Sequence, residues 1–339
     1  MQPNTAGEAS RNIEPLFAIR KTAESGQGMF AISKISVGTL IHTEKPTIKT
    51  SCMEVTALEL TIKLQQLQQP TRTAFLALHN NFPARGICGI VHTNGFRIRH
   101  SEDRLGAYVG EVAVYTKAAR INHACLPNAQ HSIDPVSGEI FIFATQEIST
   151  GDEITINYTH LFLTKDLRQV VLRRDYGFVC KCILCARDNL DTFADDLCMD
   201  FIRAAITKLE QSPTLLQNSE MALEMIHEAI KRCREVGFTE GEAIAGLYSQ
   251  AAVAMHYRIF SNVSGAASLP LQRKEYLPRL ACLVWVAYKK LKDSLGSNAT
   301  TTCLRREELG RLELANALKE IPYELPAAQF EEWLWEMEQ

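Results

Sequence analysis

Three groups of residues in this chain have types and spacings that suit chemistry. The first is "FVCKCILCA", where Cys180, Cys182 and Cys185 place three thiols within six residues. Thiols so spaced can wrap one soft ion, and zinc is the usual occupant when four thiolates are gathered. The cluster is one ligand short. Cys198 opens a helical stripe, where a cysteine reads as a small core residue. Cys52, Cys88, Cys233, Cys282 and Cys303 are isolated and read the same way. Cys125 is the other thiol in polar, turn-rich company, within "RINHACLPNAQ" (Arg120 to Gln130). If it is the fourth ligand, residues 120–130 and 178–185 must touch.

The second group is "ESGQGMFA", in which Gly26 and Gly28 flank Gln27. Two glycines spaced by one residue let a backbone approach a ligand closely, but also serve a plain turn. The third is "GDEITINY", where Tyr158 follows a Gly-Asp turn and a strand pattern. Such a tyrosine packs as an amphipathic ring or offers its phenol to a reacting group.

The elements that must position these groups fall into two kinds. "PLFAIR", "GMFAISK" and "GTLIHTEK" read as short strands with Gly-led turns. "AQHSID", the turn "PVSG" and "EIFIFATQEI" read as a hairpin. In "EITINY", Ile154, Ile156 and Tyr158 share one face by the two-residue period. Between Val55 and Phe82 the pattern turns helical, with Leu58, Ile62 and Leu67 as its apolar positions and Pro70 as its stop. From about Asp195 the strand signal is lost. Ile244, Leu247, Tyr248, Ala251, Ala252 and Met255 form a helical stripe, as do Leu277, Leu280, Ala281, Val284, Tyr288, Leu291 and Leu295. Further helices are expected near 198–210, 219–235, 303–319 and 327–337, punctuated by Pro213, Gly237, Pro270, Gly296 and Pro326. The polar stretch "ARDNLDTFADD" marks the change from one kind to the other.

With 339 residues the chain is long enough for two domains, and 46% hydrophobic residues can build a real core. A net charge of -3 supplies no basic footprint for nucleic acid. No apolar run approaches the ~20 residues of a membrane span. "MQPNTAGEASRNIEP" lacks the pattern of a secretory signal, so the ten cysteines are read for a reducing compartment, nucleus or cytoplasm.

Taken in order, "SGQGMFA", "NGF" (Asn94 to Phe96), "RINHACLPN", "GDEITINY" and "YGFVCKCILC" resemble the SET-domain protein lysine methyltransferases across residues 15–186. The insert, the C-x-C-x2-C cluster and the helical second half are similar to the SET and MYND branch, including its fungal members. The MYND finger is missing: the insert, about 47–93, holds only Cys52 and Cys88. The resemblance implies an α+β fold with four parts. These are a tail (1–14), a SET domain (15–160) with the helical insert, a post-SET zinc segment (161–190), and an all-α C-terminal domain (195–339) of TPR-like helical hairpins. It also implies a pseudoknot, with the Asn-His segment threaded through the loop that carries the tyrosine strand, against the usual unthreaded connection.

The same resemblance implies S-adenosylmethionine as methyl donor, with S-adenosylhomocysteine as product, and a structural zinc. Gln27, Gly28, Met29, Phe30, Asn122, His123 and Tyr158 would contact the cofactor, and Phe178 would stack on its adenine. Tyr158 takes the catalytic position and Tyr176 a wall of the lysine channel. Cys125, Cys180, Cys182 and Cys185 would bind zinc. The acceptor would be a lysine of a protein, histone or not, with no direct nucleic-acid or membrane partner and a monomeric chain. The alternative is a catalytically weak SET-fold scaffold acting through its helices. One departure stands out: Ala124 replaces the family's serine, a hydroxyl worth about 0.5–1.5 kcal/mol if it makes a hydrogen bond. Glu153 and the "TEKP" run at 43–46 also match, as structural or functional acids.

Overall fold

Short strands come first along the chain: β1 (Phe17–Lys21), β2 (Gln27–Ala31), β3 (Leu40–Glu44) and β4 (Ile48–Ser51). The computed structural model describes residues 15–22, 26–51, 55–98, 101–102, 108–261, 269–297 and 299–335. The expected tail 1–14, Glu24, Ser25 and Cys52 lie outside the described residues. Three helices fill the insert: α1 (Ala57–Gln65), α2 (Gln69–Leu76) and α3 (Ile87–Asn94). Strands then resume with β5 (Gly95–Arg97), β6 (Ser101–Glu102), β7 (Tyr108–Val109), β8 (Glu111–Val114), β9 (Asn122–His123), β10 (Ala129–Ile133), β11 (Ile140–Ala144) and β12 (Glu153–Ile156).

They form small sheets ordered β1-β2-β12-β9, β10-β11-β3 and β4-β8-β5, with β6–β7 as a ribbon. Among the described residues the strand pairings are antiparallel except β9 with β12, which is parallel and pairs Asn122 with Thr155 and His123 with Ile156. That pairing brings together the two segments expected to form the pseudoknot. Alternation sets which side chains go inward: Ile154 and Ile156 of β12 are buried, while Glu153 and Thr155 are half-buried. With Met29, Ile35, Tyr115, Ile121, Ile140, Ile142 and Ile148 they make the sheet core. Each large apolar side chain removed from water contributes about 1.5–3 kcal/mol.

The insert corrects two expectations. Pro70 does not stop a helix: α1 ends at Gln65, and Pro70 sits in the first turn of α2, where its missing N–H costs nothing. The buried face is Leu60 and Leu64, packed with Ile48, Phe75 and Val91, whereas Leu58 and Ile62 are exposed. Burial of the two leucines sets this rotation, and on the outer side Lys63 Nζ donates to Lys49 O at 2.6 Å and to Glu59 at 2.6 Å while Thr50 donates to Glu59.

The second half is helical: α4 (Lys165–Val171), α5 (Asn189–Gln211), α6 (Pro213–Gln217), α7 (Ser219–Val236), α8 (Glu242–Ser261), α9 (Leu269–Leu295), α10 (Thr300–Leu309), α11 (Leu312–Ala317) and α12 (Ala327–Trp335). Helix α5 starts ahead of Asp195, inside the polar stretch, because Asp188 caps it through the Asp191 N–H at 2.9 Å. Pro270 lies in the first turn of α9 rather than between helices. The stripe of α8 is buried as expected, and α9 is buried on more than one side, with Leu280 through Val284 all inside. Helices α5, α7, α8 and α9 pack in sequence, and the end of α9 meets β10 and β11. There Ser132 Oγ donates to Leu295 O at 3.3 Å. Gly296, at φ +85°, lies so close to Phe143 that a Cβ would come within 2.7 Å of the ring.

Candidate functional site

The strand β9 is set in place by an acid at the end of β3. Glu44 accepts from Thr116 Oγ1 and from the N–H groups of Lys117 and Ala118, at 2.9–3.2 Å, and so anchors the 3₁₀ turn Ala118–Arg120 that leads into Asn122. Burial works against its charge, yet the bonds from His42, Ala118 and Lys117 win and hold its carboxyl below the usual range. Glu44 of the "TEKP" run is thus structural.

Asn122 Nδ2 donates to Glu153 Oε1 at 2.6 Å and to Gln27 O at 3.2 Å. It therefore ties β9 to β12 and to β2. Gly28 lies beside this pair, and a Cβ there would fall 2.3 Å from Glu153 Oε1 and 3.0 Å from Asn122 Nδ2. The glycine is required by that approach. Met29 is fully buried in the sheet core, Phe30 is half-buried with Arg20 5.9 Å from its ring centre, and Gln27 is exposed. Asn128 is a residue that sequence reasoning placed only in a turn. Its amide accepts from Thr155 N at 2.8 Å and donates to Glu153 O at 2.9 Å, pinning the backbone of β12 at two points. The signal available was an asparagine after Leu-Pro, which marks a turn and not its distant partner. Ala124 keeps the backbone bond of this junction, its N–H donating to Ile156 O at 3.1 Å.

β12 ends at Ile156, earlier than the expected strand through Tyr158. Asn157 turns the chain there by accepting from Thr159 N at 2.7 Å and reaching Cys125 O at 3.4 Å. The Tyr158 N–H then donates to His123 Nδ1 at 3.0 Å. Burial depresses the His123 pKa to about 4, so the ring is neutral at physiological pH. With Nδ1 accepting, Nε2 carries the hydrogen, and it lies 3.3 Å from Cys125 Sγ. The Tyr158 hydroxyl donates to Ile121 O at 2.5 Å. Burial raises its pKa further, which keeps the phenol protonated. Tyr176 stacks at an angle on Tyr158, with centroids 4.8 Å apart, and donates its hydroxyl to Tyr158 O at 3.2 Å. Phe178 sits 6.1 Å from His123.

The four thiols predicted to meet do so. Cys125, Cys180, Cys182 and Cys185 have their Sγ atoms all within 4.8 Å, with Cys125 at 3.9 Å from Cys180 and 3.5 Å from Cys185. Sulfurs placed tetrahedrally ~2.3 Å from one ion would lie ~3.8 Å apart, so the set fits a structural zinc. Hydrogen bonds from Cys125 and Cys180 hold the Cys185 thiol below its usual range. Cys198 lies apart, its thiol 3.7 Å from Glu235, and Cys233 and Cys282 are buried core residues, as expected. Arg168 was not foreseen. α4 buries this arginine and exposes Leu167 and Val170, and the guanidinium lies 3.8 Å from Cys185 Sγ. A fixed cation there offsets the negative charge of gathered thiolates. Gln169 clamps the loop by accepting from Cys180 N at 3.0 Å and donating to Cys180 O at 2.8 Å.

Residues 26–159 match the family model for the SET domain. The histone-lysine N-methyltransferase set5 of Schizosaccharomyces pombe is 28% identical over 173 residues, covering 50% of this chain and 50% of its own. The Drosophila melanogaster SET domain-containing protein SmydA-8, isoform B, is 37% identical over 102 residues, 30% of this chain and 22% of that one. The rat N-lysine methyltransferase SMYD2 is 31% identical over 121 residues, 34% and 27% of the two chains. The chain thus spans half or less of the length of these relatives. Among the described residues, no helix is long and apolar enough to cross a membrane. The matched residues include Gln27, the Asn122–His123 strand and Tyr158 together, so the similarity to the SET domain spans the candidate site.

Proposed function

We propose that this chain is an S-adenosylmethionine-dependent protein-lysine N-methyltransferase. The observation that carries the reading is the convergence of Tyr158, Tyr176 and Phe178 on a strand whose Asn122 is bonded to the backbone of Gln27. Relatives named as histone-lysine and lysine methyltransferases support it. S-adenosylmethionine, when bound, supplies a methyl group on a positively charged sulfur.

The exposed Gln27 and the half-buried Phe30 and Phe178 leave a polar and aromatic face open beside Asn122 and His123. Gln27, Gly28, Met29, Phe30, Asn122, His123 and Tyr158 would hold the cofactor there, and Phe178 would cover its adenine. The acceptor lysine must arrive uncharged, although its solvated pKa is ~10.4. Tyr158 and Tyr176 supply an apolar, aromatic lining that disfavours the ammonium form. Tyr158 is not a base, since its hydrogen is committed to Ile121 O. Its oxygen lone pairs can accept from the incoming amine and steer it, so positioning provides much of the rate. The four cysteines would bind zinc structurally, tying the end of β9 to the segment that carries Tyr176 and Phe178. Histone and non-histone lysines both fit this reading, and the nucleus and cytoplasm are its expected sites.

A thermal-shift titration of the zinc-loaded protein with S-adenosylmethionine tests the reading. Stabilisation is expected; no shift at millimolar cofactor would overturn it. Incubation with methyl-labelled cofactor and a native lysate then reveals the acceptor protein.

A further inference from the structure

The insert reaches the segment that carries Tyr176 through Asn81. Asn81 Nδ2 donates to the backbone carbonyl of Tyr176, a residue 95 positions away. The same side chain lies against Gly177, which takes φ +74° just after the wide helical turn Leu172–Tyr176. A Cβ on Gly177 would stand 3.3 Å from Asn81 Cγ, so the asparagine and the glycine are in near contact.

Asn81 is itself firmly held. Its N–H donates to Thr93 Oγ1 at 3.0 Å, and Asn94 Nδ2 donates to His79 O at 2.7 Å, so this corner is fastened to α3. Among the described residues, neighbouring Asn80 bonds within the insert, to Gly86 O at 2.9 Å and from Phe82 N at 2.9 Å. Tyr176 is therefore gripped at two ends. Its ring and hydroxyl rest on Tyr158, and its carbonyl rests on the insert.

We propose that Asn81 is a positioning residue for Tyr176, through which the helical insert sets the width of the channel that admits the lysine side chain. Asn81 touches neither cofactor nor acceptor in this assignment; it acts by fixing the wall. The proposal rests on the methyltransferase reading of that channel. It implies that the number of methyl groups accepted depends on a contact made outside the strands that carry Asn122 and Tyr158.

The test compares zinc-loaded full chains carrying Asn81→Ala, Asn81→Asp and Asn80→Ala. Aspartate keeps the shape of Asn81 but cannot donate, so it serves if alanine disturbs folding. Hydrogen exchange of the amides at 175–178 is expected to quicken about two- to tenfold in both Asn81 variants and to stay unchanged in Asn80→Ala. With core histones as acceptor, KM is expected to rise about tenfold in the Asn81 variants, and the ratio of mono- to higher methylation to change. The dissociation constant for S-adenosylmethionine is expected to stay within about twofold of wild type, because the cofactor contacts lie elsewhere. Unchanged exchange at 175–178 in both Asn81 variants overturns the proposal, as does an Asn80→Ala variant that behaves like them. A wild-type protein that neither binds S-adenosylmethionine nor methylates would instead overturn the functional reading, and the exchange arm would still decide the role of Asn81.

Discussion

Replacing Gly28 by alanine puts a methyl group 2.3 Å from Glu153 Oε1, 2.9 Å from Thr22 Cγ2 and 3.0 Å from Asn122 Nδ2. Carbon and oxygen not bonded to each other need more than 3 Å, so the carboxylate must retreat by roughly 1 Å. That retreat breaks its 2.6 Å bond from Asn122, leaving Asn122 only the longer bond to Gln27 O. A hydrogen bond to a charged group is worth about 1.5–3 kcal/mol. Alanine returns about 0.4–1 kcal/mol by restricting the unfolded chain. The net loss is about 1–2 kcal/mol, a fall in melting temperature of about 2–8 °C for a domain of this size.

The informative measurement is the cycle with Glu153→Ala. Once the carboxylate is gone, the severest clash is relieved and the Asn122 bond is already lost, leaving the milder contacts with Thr22 Cγ2 and the end of the Asn122 side chain to adjust. Gly28→Ala in that background should then cost under about 0.5 kcal/mol, giving a coupling of about 1–2 kcal/mol in urea denaturation. S-adenosylmethionine affinity, followed by calorimetry, should fall in each single variant because Asn122 is freed. Additivity of the two substitutions within about 0.3–0.5 kcal/mol would refute the argument that Gly28 exists to admit the Asn122–Glu153 pair.

Tyr158→Phe should cost about 1–3 kcal/mol of stability, since Ile121 O loses its donor. It should also lower kcat by about 10²–10³-fold at near-constant cofactor affinity, by analogy with losing one well-placed polar group. Full turnover by this variant in a labelled-methyl assay would remove Tyr158 from the chemistry. Cys182→Ser should reduce bound zinc, measured by metal analysis, to well below one per chain. Because His123 bridges Tyr158 N and Cys125, chelation should weaken S-adenosylmethionine binding by about tenfold or more; equal affinity with and without metal would disprove that coupling. His131, set edge-on to Phe96, has its pKa lowered by burial from 6.5 to about 4. Below pH 6.5 the unfolded chain takes up the proton first, so this contribution to stability is complete above that pH and is lost as pH falls toward 4. Between pH 7.5 and 5.0 the wild type should lose about 1–2 kcal/mol more than His131→Gln in urea titrations. Parallel pH profiles would show that His131 is not held neutral by the fold.

Much of the site was legible because its signals are local. Three thiols at i, i+2 and i+5 suit one ion whatever surrounds them, and Ile154 and Ile156 announce a buried strand by their period alone. The stripe from Ile244 to Met255 marks its helix in the same way, and the ordered motifs pointed to the SET fold. The errors arose where a residue's effect depends on which element it belongs to. Pro70 reads as a helix end, but in the first turn of α2 it is harmless. Leu58 and Ile62 fit a helical stripe, yet it is Leu60 and Leu64 that face Ile48, Phe75 and Val91, which belong to other elements.

The sequence by itself determined the thiol triplet, the strand and helix periods, and the types of residue that could form an aromatic channel. Only the tertiary structure decided that Cys125 sits 3.5 Å from Cys185, that Asn122 answers to Glu153, that Asn128 pins β12, that Arg168 is buried beside the thiols, and that Asn81 holds Tyr176. These contacts join residues between 17 and 95 positions apart. Their existence depends on strand register and on how the insert and α4 pack, because hydrogen bonds act over about 3 Å and carry no trace in the spacing of the residues that make them.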